Sequence, residues 1–199
     1  MKLDEVERKR REALIADEYG GMSPMYEAFY IHSIIYAAER SETAFQRFDA
    51  AVAASEPPAL IFATVQEGLT HAGALSRFFW PMKRENRLSV ARGKRLRGAF
   101  LLNDESALKW RRLRNAFEHF DEDLDQFLLQ DPVGYFFPSP MVDDADLADE
   151  FLANIFKLVD PHQGICIILG EKFEFHPIRA EVQRILSLAL KMDDNGSRL

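Results

Sequence analysis

The chain has 199 residues, 47% of them hydrophobic and 16 of them phenylalanine, enough to build one domain-sized core and too apolar for global disorder. Its one cysteine, Cys166, excludes an intramolecular disulfide framework and a cysteine zinc site, and a lone thiol in an apolar run fits a reducing compartment, the cytoplasm. The formal net charge is −7, a poor starting point for nonspecific binding to nucleic acid.

The opening "MKLDEVERKRREALIADEYG" is charged and lacks an apolar h-region, so it predicts a helix over residues 2 to about 18 and no signal peptide. "YGGMSP" breaks that helix, and Ser23 with Pro24 suits the cap and first position of the next. A long helix follows to about Ala54, with Phe29, Ile34, Ile35, Ala38, Phe45, Phe48 and Val52 at helical intervals. "SEPP" separates it from a third helix, capped by Ser55, that runs from Pro57 to Trp80 and ends at Pro81. Gly68 and Gly73 inside it point to close helix packing. Residues 82 to 103 read either as a short helix interrupted by Gly93 and Gly98 or as a loop. Asn103 or Asp104 then caps a helix to about Leu129.

"DPVGYFFPSP" reads as an irregular connector and "DDADLADEFLAN" as one short helix. Three short β-branched or aromatic runs follow, "NIFKLV", "GICIIL" and "KFEFH", separated by turn signals, and they predict an antiparallel meander. A final helix opens at His176–Pro177 with Ile178, Val182, Ile185, Leu186, Ala189 and Leu190 on one stripe. The expected fold is mainly α: an up-and-down bundle of four to five helices over residues 1–150. A β-β-β-α appendage, residues 151–199, packs on it. No run reaches the roughly 18 apolar residues of a membrane span.

Charge is segregated. Lys83 to Arg114 holds eleven Lys or Arg against three acids, whereas Glu118 to Glu150 holds eleven acids and no Lys or Arg. The two segments either pair with each other or are solvated separately, and the basic one keeps nucleic-acid binding open.

The junction between them is the run "LRNAFEHFDEDLDQFL". Leu113, Phe117, Phe120, Leu124, Phe127 and Leu128 mark an apolar stripe, with Trp110 one turn earlier. Asn115, His119, Glu122 and Gln126 fall on the opposite side. Asn115 and His119 are i, i+4 neighbours, as are Arg114 and Glu118. Arg114 and His119 are five apart and diverge by roughly 140° on an ideal helix. A second copy of the helix across a two-fold axis would bring them to one substrate. Histidine moves protons near neutral pH, arginine grips phosphate in a planar fork, and asparagine can orient an imidazole. The bland alternative is a solvated helix face.

Arg-x4-His with a polar residue after the arginine, on the last long helix of a bundle, resembles the HEPN superfamily, and "LRNAFEHFDEDLD" looks like the signature helix of its bacterial members. The resemblance covers about a quarter of the chain. It implies homodimerisation and a composite site in which Arg114, Asn115 and His119 are catalytic. It also implies a metal-independent endoribonuclease without cofactor, in a toxin or defence role, with RNA as substrate. A protein antitoxin of nucleotidyltransferase type would be a partner. Other members are non-catalytic binding or scaffold modules, the alternative carried here. Some toxins carry a modifiable tyrosine two positions after the histidine; this chain has Asp121 there.

The remaining candidates are weaker. His32, on an apolar helix, reads as a core or interface histidine, His71 as packing or surface, and His162 and His176 as turn or cap residues. No H-x3-H or H-E-x-x-H spacing and no Walker or G-x-G-x-x-G pattern occurs, so no metal or nucleotide cofactor is expected. Cys166, between Ile165 and Ile167, reads as buried and inert.

Overall fold

A computed structural model describes residues 4–82, 86–109, 112–130, 133–150 and 152–199, apart from the side chains of Leu113 and Arg114. Trp110, expected on the apolar stripe, lies outside the described residues. So do Lys83, Arg84 and Arg111 of the basic segment.

The first helix, α1 (Glu5–Glu18), is capped by Asp4, whose carboxylate accepts from the Glu7 N–H at 2.8 Å. Gly20 and Gly21 follow at positive φ. A side chain on Gly21 would run into the backbone of residues 88–92, so glycine here lets the chain lie against a later helix. Ser23 and Pro24 start a 3-10 turn (Pro24–Tyr26), which leads into α2 (Glu27–Ala53). The next helix, α3 (Pro58–Phe79), starts from Pro57 and not from a Ser55 cap; Ser55 has φ +51° and belongs to the turn.

These two long helices are the centre of the fold. Ile31, Ile34, Ala38, Phe45 and Phe48 of α2 meet Ile61, Val65, Leu69, Leu75 and Phe79 of α3. Gly68 faces the Phe45 ring so closely that an added Cβ would stand 3.2 Å from it, and the Ser41 hydroxyl donates to the Gly68 carbonyl at 2.8 Å. The spacing of small and aromatic residues thus sets the helix separation.

Residues 82 to 103 resolve the earlier ambiguity in favour of a helix, α4 (Arg87–Ala99). Asn86 caps it by accepting from the Ser89 N–H at 2.9 Å. Gly93 does not interrupt it: it is buried where α4 passes the end of α3, with the Phe79 carbonyl in the space of a Cβ.

The expected single helix from residue 103 to 129 is divided. Asn103 caps only a turn, accepting from the Glu105 N–H, and a 3-10 turn (Ala107–Lys109) follows. Then come α5 (Arg112–Glu118) and α6 (Phe120–Leu129), which meet at His119. No α6 side chain is fully buried. Phe117 and Phe120 pack partly against the core, whereas Leu128 and Leu129 stay exposed. The stripe read from the sequence therefore lies on the bundle without being enclosed by it.

The connector holds strands as well as irregular chain. Strand β1 (Tyr135–Phe137) pairs in parallel with β3 (Ala153–Ile155). A four-stranded sheet has the order β2 (Met141–Val142), β4 (Lys157–Asp160), β5 (Ile165–Ile168), β6 (Glu171–Glu174). The last three form the expected antiparallel meander, and β2 joins β4 in parallel, making the sheet mixed. Between β2 and β3 the expected helix is a 3-10 stretch (Ala145–Asp149).

Alternation along the strands separates two apolar faces. Val159, Cys166, Ile168 and Phe173 join the helical core, while Leu158, Ile167 and Ile155 enclose Ala145 in a smaller cluster. Cys166 is buried, and burial pushes its thiol far up. The final helix, α7 (His176–Asp194), places Ile178, Val182, Ile185 and Ala189 in the same core as α2. The fold is mainly α, with seven α-helices among the described residues.

Candidate functional site

The motif occupies the kink between α5 and α6. Two helical hydrogen bonds flank it: His119 N–H donates to the Asn115 carbonyl at 2.8 Å, and Asp123 N–H donates to the His119 carbonyl at 2.9 Å. His119 itself has φ −117° and ψ 26°, off the helical region, so the axis bends there and the helix divides in two. The kinked segment rests on α3 and the sheet through Phe117 against the Phe62 ring, at 6.4 Å, and Phe120 beneath the Lys157 ammonium, at 4.3 Å.

Asn115 and His119 are exposed on successive turns, as the periodicity predicts. Ala116, between them, is buried and fixes which side faces the protein. The backbone of Arg114 belongs to α5; its side chain lies outside the described residues. The structure therefore places two of the three expected residues on one surface and leaves the third undescribed. His119 Nδ1 lies 3.6 Å from Glu122 Oε2.

Charge around the kink is polarised. The α6 side carries Asp121, Glu122, Asp123 and Asp125, all exposed. The α5 side opens into a pocket of about 420 Å³ rimmed by Arg97, Lys109, Arg112 and Asn115 over Trp80 and Val90. The described ion pairs of the basic segment lead elsewhere than to the acidic one: Arg87 to Asp17, Arg95 to Glu27, Lys109 to Asp104 and Arg112 to Glu171. Lys109 at 3.0 Å, with the Trp80 indole N–H, holds the Asp104 carboxyl below its ordinary range. Sequence reading missed the meeting of Arg97, Lys109 and Arg112. The dense basic run from residue 83 to 114 was the available signal, but three separate elements supply the three cations.

The other histidines have local roles. His32, expected in the core or an interface, is not in the core: it is exposed, with Nε2 3.3 Å from Asp193 Oδ1. His71 lies beside Glu67. Both line an apolar groove of about 700 Å³ between α2 and α3, with Phe29, Tyr36 and Phe78. His162 belongs to the β4–β5 turn, where its N–H donates to Asp160 at 2.9 Å, and His176 opens α7. Among the described residues no three His, Cys, Asp or Glu side chains converge as a metal site, and no helix is long and apolar enough to cross a membrane.

Set against protein-family models, curated proteins and solved structures, the chain has no match in any of the three, so its functional reading rests on this geometry.

Proposed function

We propose that the protein is a metal-independent endoribonuclease of HEPN type, acting as a homodimer with a composite site. The observation that carries the reading is the exposed Asn115–His119 pair at the α5–α6 kink, beside a pocket rimmed by Arg97, Lys109 and Arg112. In this reading His119 takes the proton from a ribose 2′-OH, and the 2′-oxygen attacks the adjacent phosphorus. The 5′-oxygen leaves with the proton that His119 took, giving a 2′,3′-cyclic phosphate and a 5′-hydroxyl and returning the imidazole to its neutral form. Arg114 of one copy stabilises the charge that develops on the phosphoryl oxygens. Asn115, one turn earlier on the same face, orients the imidazole.

Support for a second copy comes from the five-residue spacing of Arg114 and His119 and from apolar surface further along α6. Leu128, Leu129, Val133, Tyr135 and Phe136 at the end of α6 and along β1 are all exposed. Side chains of this size in one region of a monomer mark an interaction face.

One observation favours a second reading, a non-catalytic binding module: Glu122 and Asp123 stand on the His119 side of α6 and repel a polyanion.

Cleavage of a mixed RNA pool by purified protein in excess EDTA, beside His119→Ala and Arg114→Ala, tests the choice. Cleavage lost in both variants, with folding and mass unchanged, supports the nuclease. Cleavage that survives both overturns it, and a wild type that binds RNA without cutting favours the binding module.

A further inference from the structure

Resting on the nuclease reading, we propose that the pocket beside Asn115 is a subsite for one nucleotide of single-stranded RNA, next to the scissile phosphate, gripped through its phosphate by Lys109 and Arg112. Three cations converge there from three elements: Arg97 from α4, Lys109 from the 3-10 turn and Arg112 from α5. Among the described residues no acid lines the pocket itself, in a protein whose net charge is −7, although Asp104 holds Lys109 and the Trp80 indole and Glu171 holds Arg112. Trp80 and Val90 give the pocket an apolar floor, on which a ribose or base edge can rest.

The cations divide into two kinds. Arg97 is fixed before any ligand arrives: its guanidinium donates to the Phe79 carbonyl and lies 5.8 Å from the Trp80 ring centroid. Such a group loses little freedom on binding. Among the described residues, Lys109 and Arg112 are held by surface ion pairs, to Asp104 and Glu171, with side chains 40% and 68% exposed. Exposed pairs of this sort contribute little to folding, so both cations can turn towards a phosphate at small cost. A phosphate offers Arg112 a planar, two-pronged partner.

The pocket's place gives the subsite its meaning. Asn115 rims it and sits one helical turn, about 5.4 Å along the axis, before His119. A strand whose phosphate occupies the pocket thus leads its next phosphate towards the imidazole. A volume of about 420 Å³ suits one nucleotide splayed from a single strand. A duplex keeps its bases stacked and presents no such unit. The acids of α6, of which Glu122 and Asp123 share the His119 side, favour entry from α5.

The test uses the full-length His119→Ala protein, so that RNA is bound and not cut, with fluorescence anisotropy of a labelled single-stranded RNA of about ten nucleotides, the upper range of one small single-strand site. Added Lys109→Ala and Arg112→Ala are expected to weaken binding at least tenfold together. They should lower the salt slope by about 0.7, the share of the one phosphate that the two cations hold together. Arg10→Ala, on the outer face of α1, is the control and should leave both unchanged. Melting of each variant confirms folding, and the single variants, each expected to lose at least threefold, carry the test if the double variant unfolds.

Unchanged affinity in folded variants overturns the subsite, and if the wild type cleaves RNA the nuclease reading stands without it. Binding that depends on Lys109 and Arg112 in a wild type that never cleaves supports the pocket and removes the nuclease. An absence of RNA binding in the His119→Ala parent overturns the subsite outright, as does equal affinity for duplex RNA of the same length.

Discussion

Arg77 of α3 donates to Glu118 of α5 at 2.6 Å, from one side of the motif helix to the longest neighbour it packs on. The carboxylate that stands between Asn115 and His119 in sequence is thereby drawn towards α3. Both side chains are more than a third exposed, so the pair contributes at most about 1 kcal/mol to stability. Glu118→Gln is expected to shift the denaturation midpoint by no more than that. It should also raise RNA cleavage by up to about threefold, because one negative charge leaves the approach to the site. Slower cleavage in a stable variant would mean that Glu118 takes part in the chemistry.

If Arg114 of one copy serves His119 of the other, two inactive variants can rescue each other. An equal mixture of Arg114→Ala and His119→Ala, allowed to exchange subunits, should recover about a quarter of wild-type cleavage, since half the dimers are mixed and each holds one intact site. A site contained in one chain would recover nothing.

The dimer face can be told from the other apolar surface. Leu129 and Tyr135 mark the α6–β1 face, and Phe29 marks the α2–α3 groove; all three are at least 70% exposed. Leu129→Asp is expected to give a monomer by light scattering and to abolish cleavage. Phe29→Asp should leave mass and cleavage unchanged. The reverse pattern would move the interface to the groove and separate the two motif helices.

Asp160 is a structural carboxylate with a pH signature. It is buried at the end of β4, and its oxygens accept backbone N–H groups from Ala145 at 3.0 Å, His162 at 2.9 Å and Gln163 at 3.0 Å. Burial raises its pKa, but the three hydrogen bonds outweigh that and hold it below the ordinary aspartate range. Folded Asp160 thus ionises more readily than unfolded Asp160. Its contribution is complete above the unfolded value, near pH 4, and is lost as pH falls through the folded one. Asp160→Ala should cost about 2–4 kcal/mol at neutral pH, since three donors lose their acceptor. The gap between wild type and variant should close in acid melts. A gap that persists at pH 2 would assign the effect to packing alone.

How much of this was legible in the sequence differs from element to element, for physical reasons. The meander could be read because β-branched and aromatic runs alternated with turn residues, and the pairing of Val159 with Cys166 is local. Strands β1 and β2 could not, because each is short and pairs in parallel with a strand beyond its neighbour, which no local pattern encodes. The exposed side of Asn115 and His119 followed from the helical period. The kink at His119 did not, since neither proline nor glycine marks it. The core placement of His32 fails because an apolar helix reads as enclosed on every side, whereas α2 leaves one face to solvent with Phe29 and Tyr36 on it. The pocket cations belong to elements that meet only in three dimensions.

The closure of α7 on α2 has a consequence for synthesis. Arg179 clasps Asp49 with two hydrogen bonds, 2.9 and 2.7 Å long, and reaches Glu42, across 130 residues of chain. Phe175, just before α7, lies on the Phe45 and Phe48 rings. A ribosome that has finished α2 must extend the chain by well over half its length before that wall of the core exists. Until then Phe45 and Phe48 remain open to chaperones. An incomplete chain released in that interval is a substrate for quality-control proteolysis, not a folded protein of reduced size.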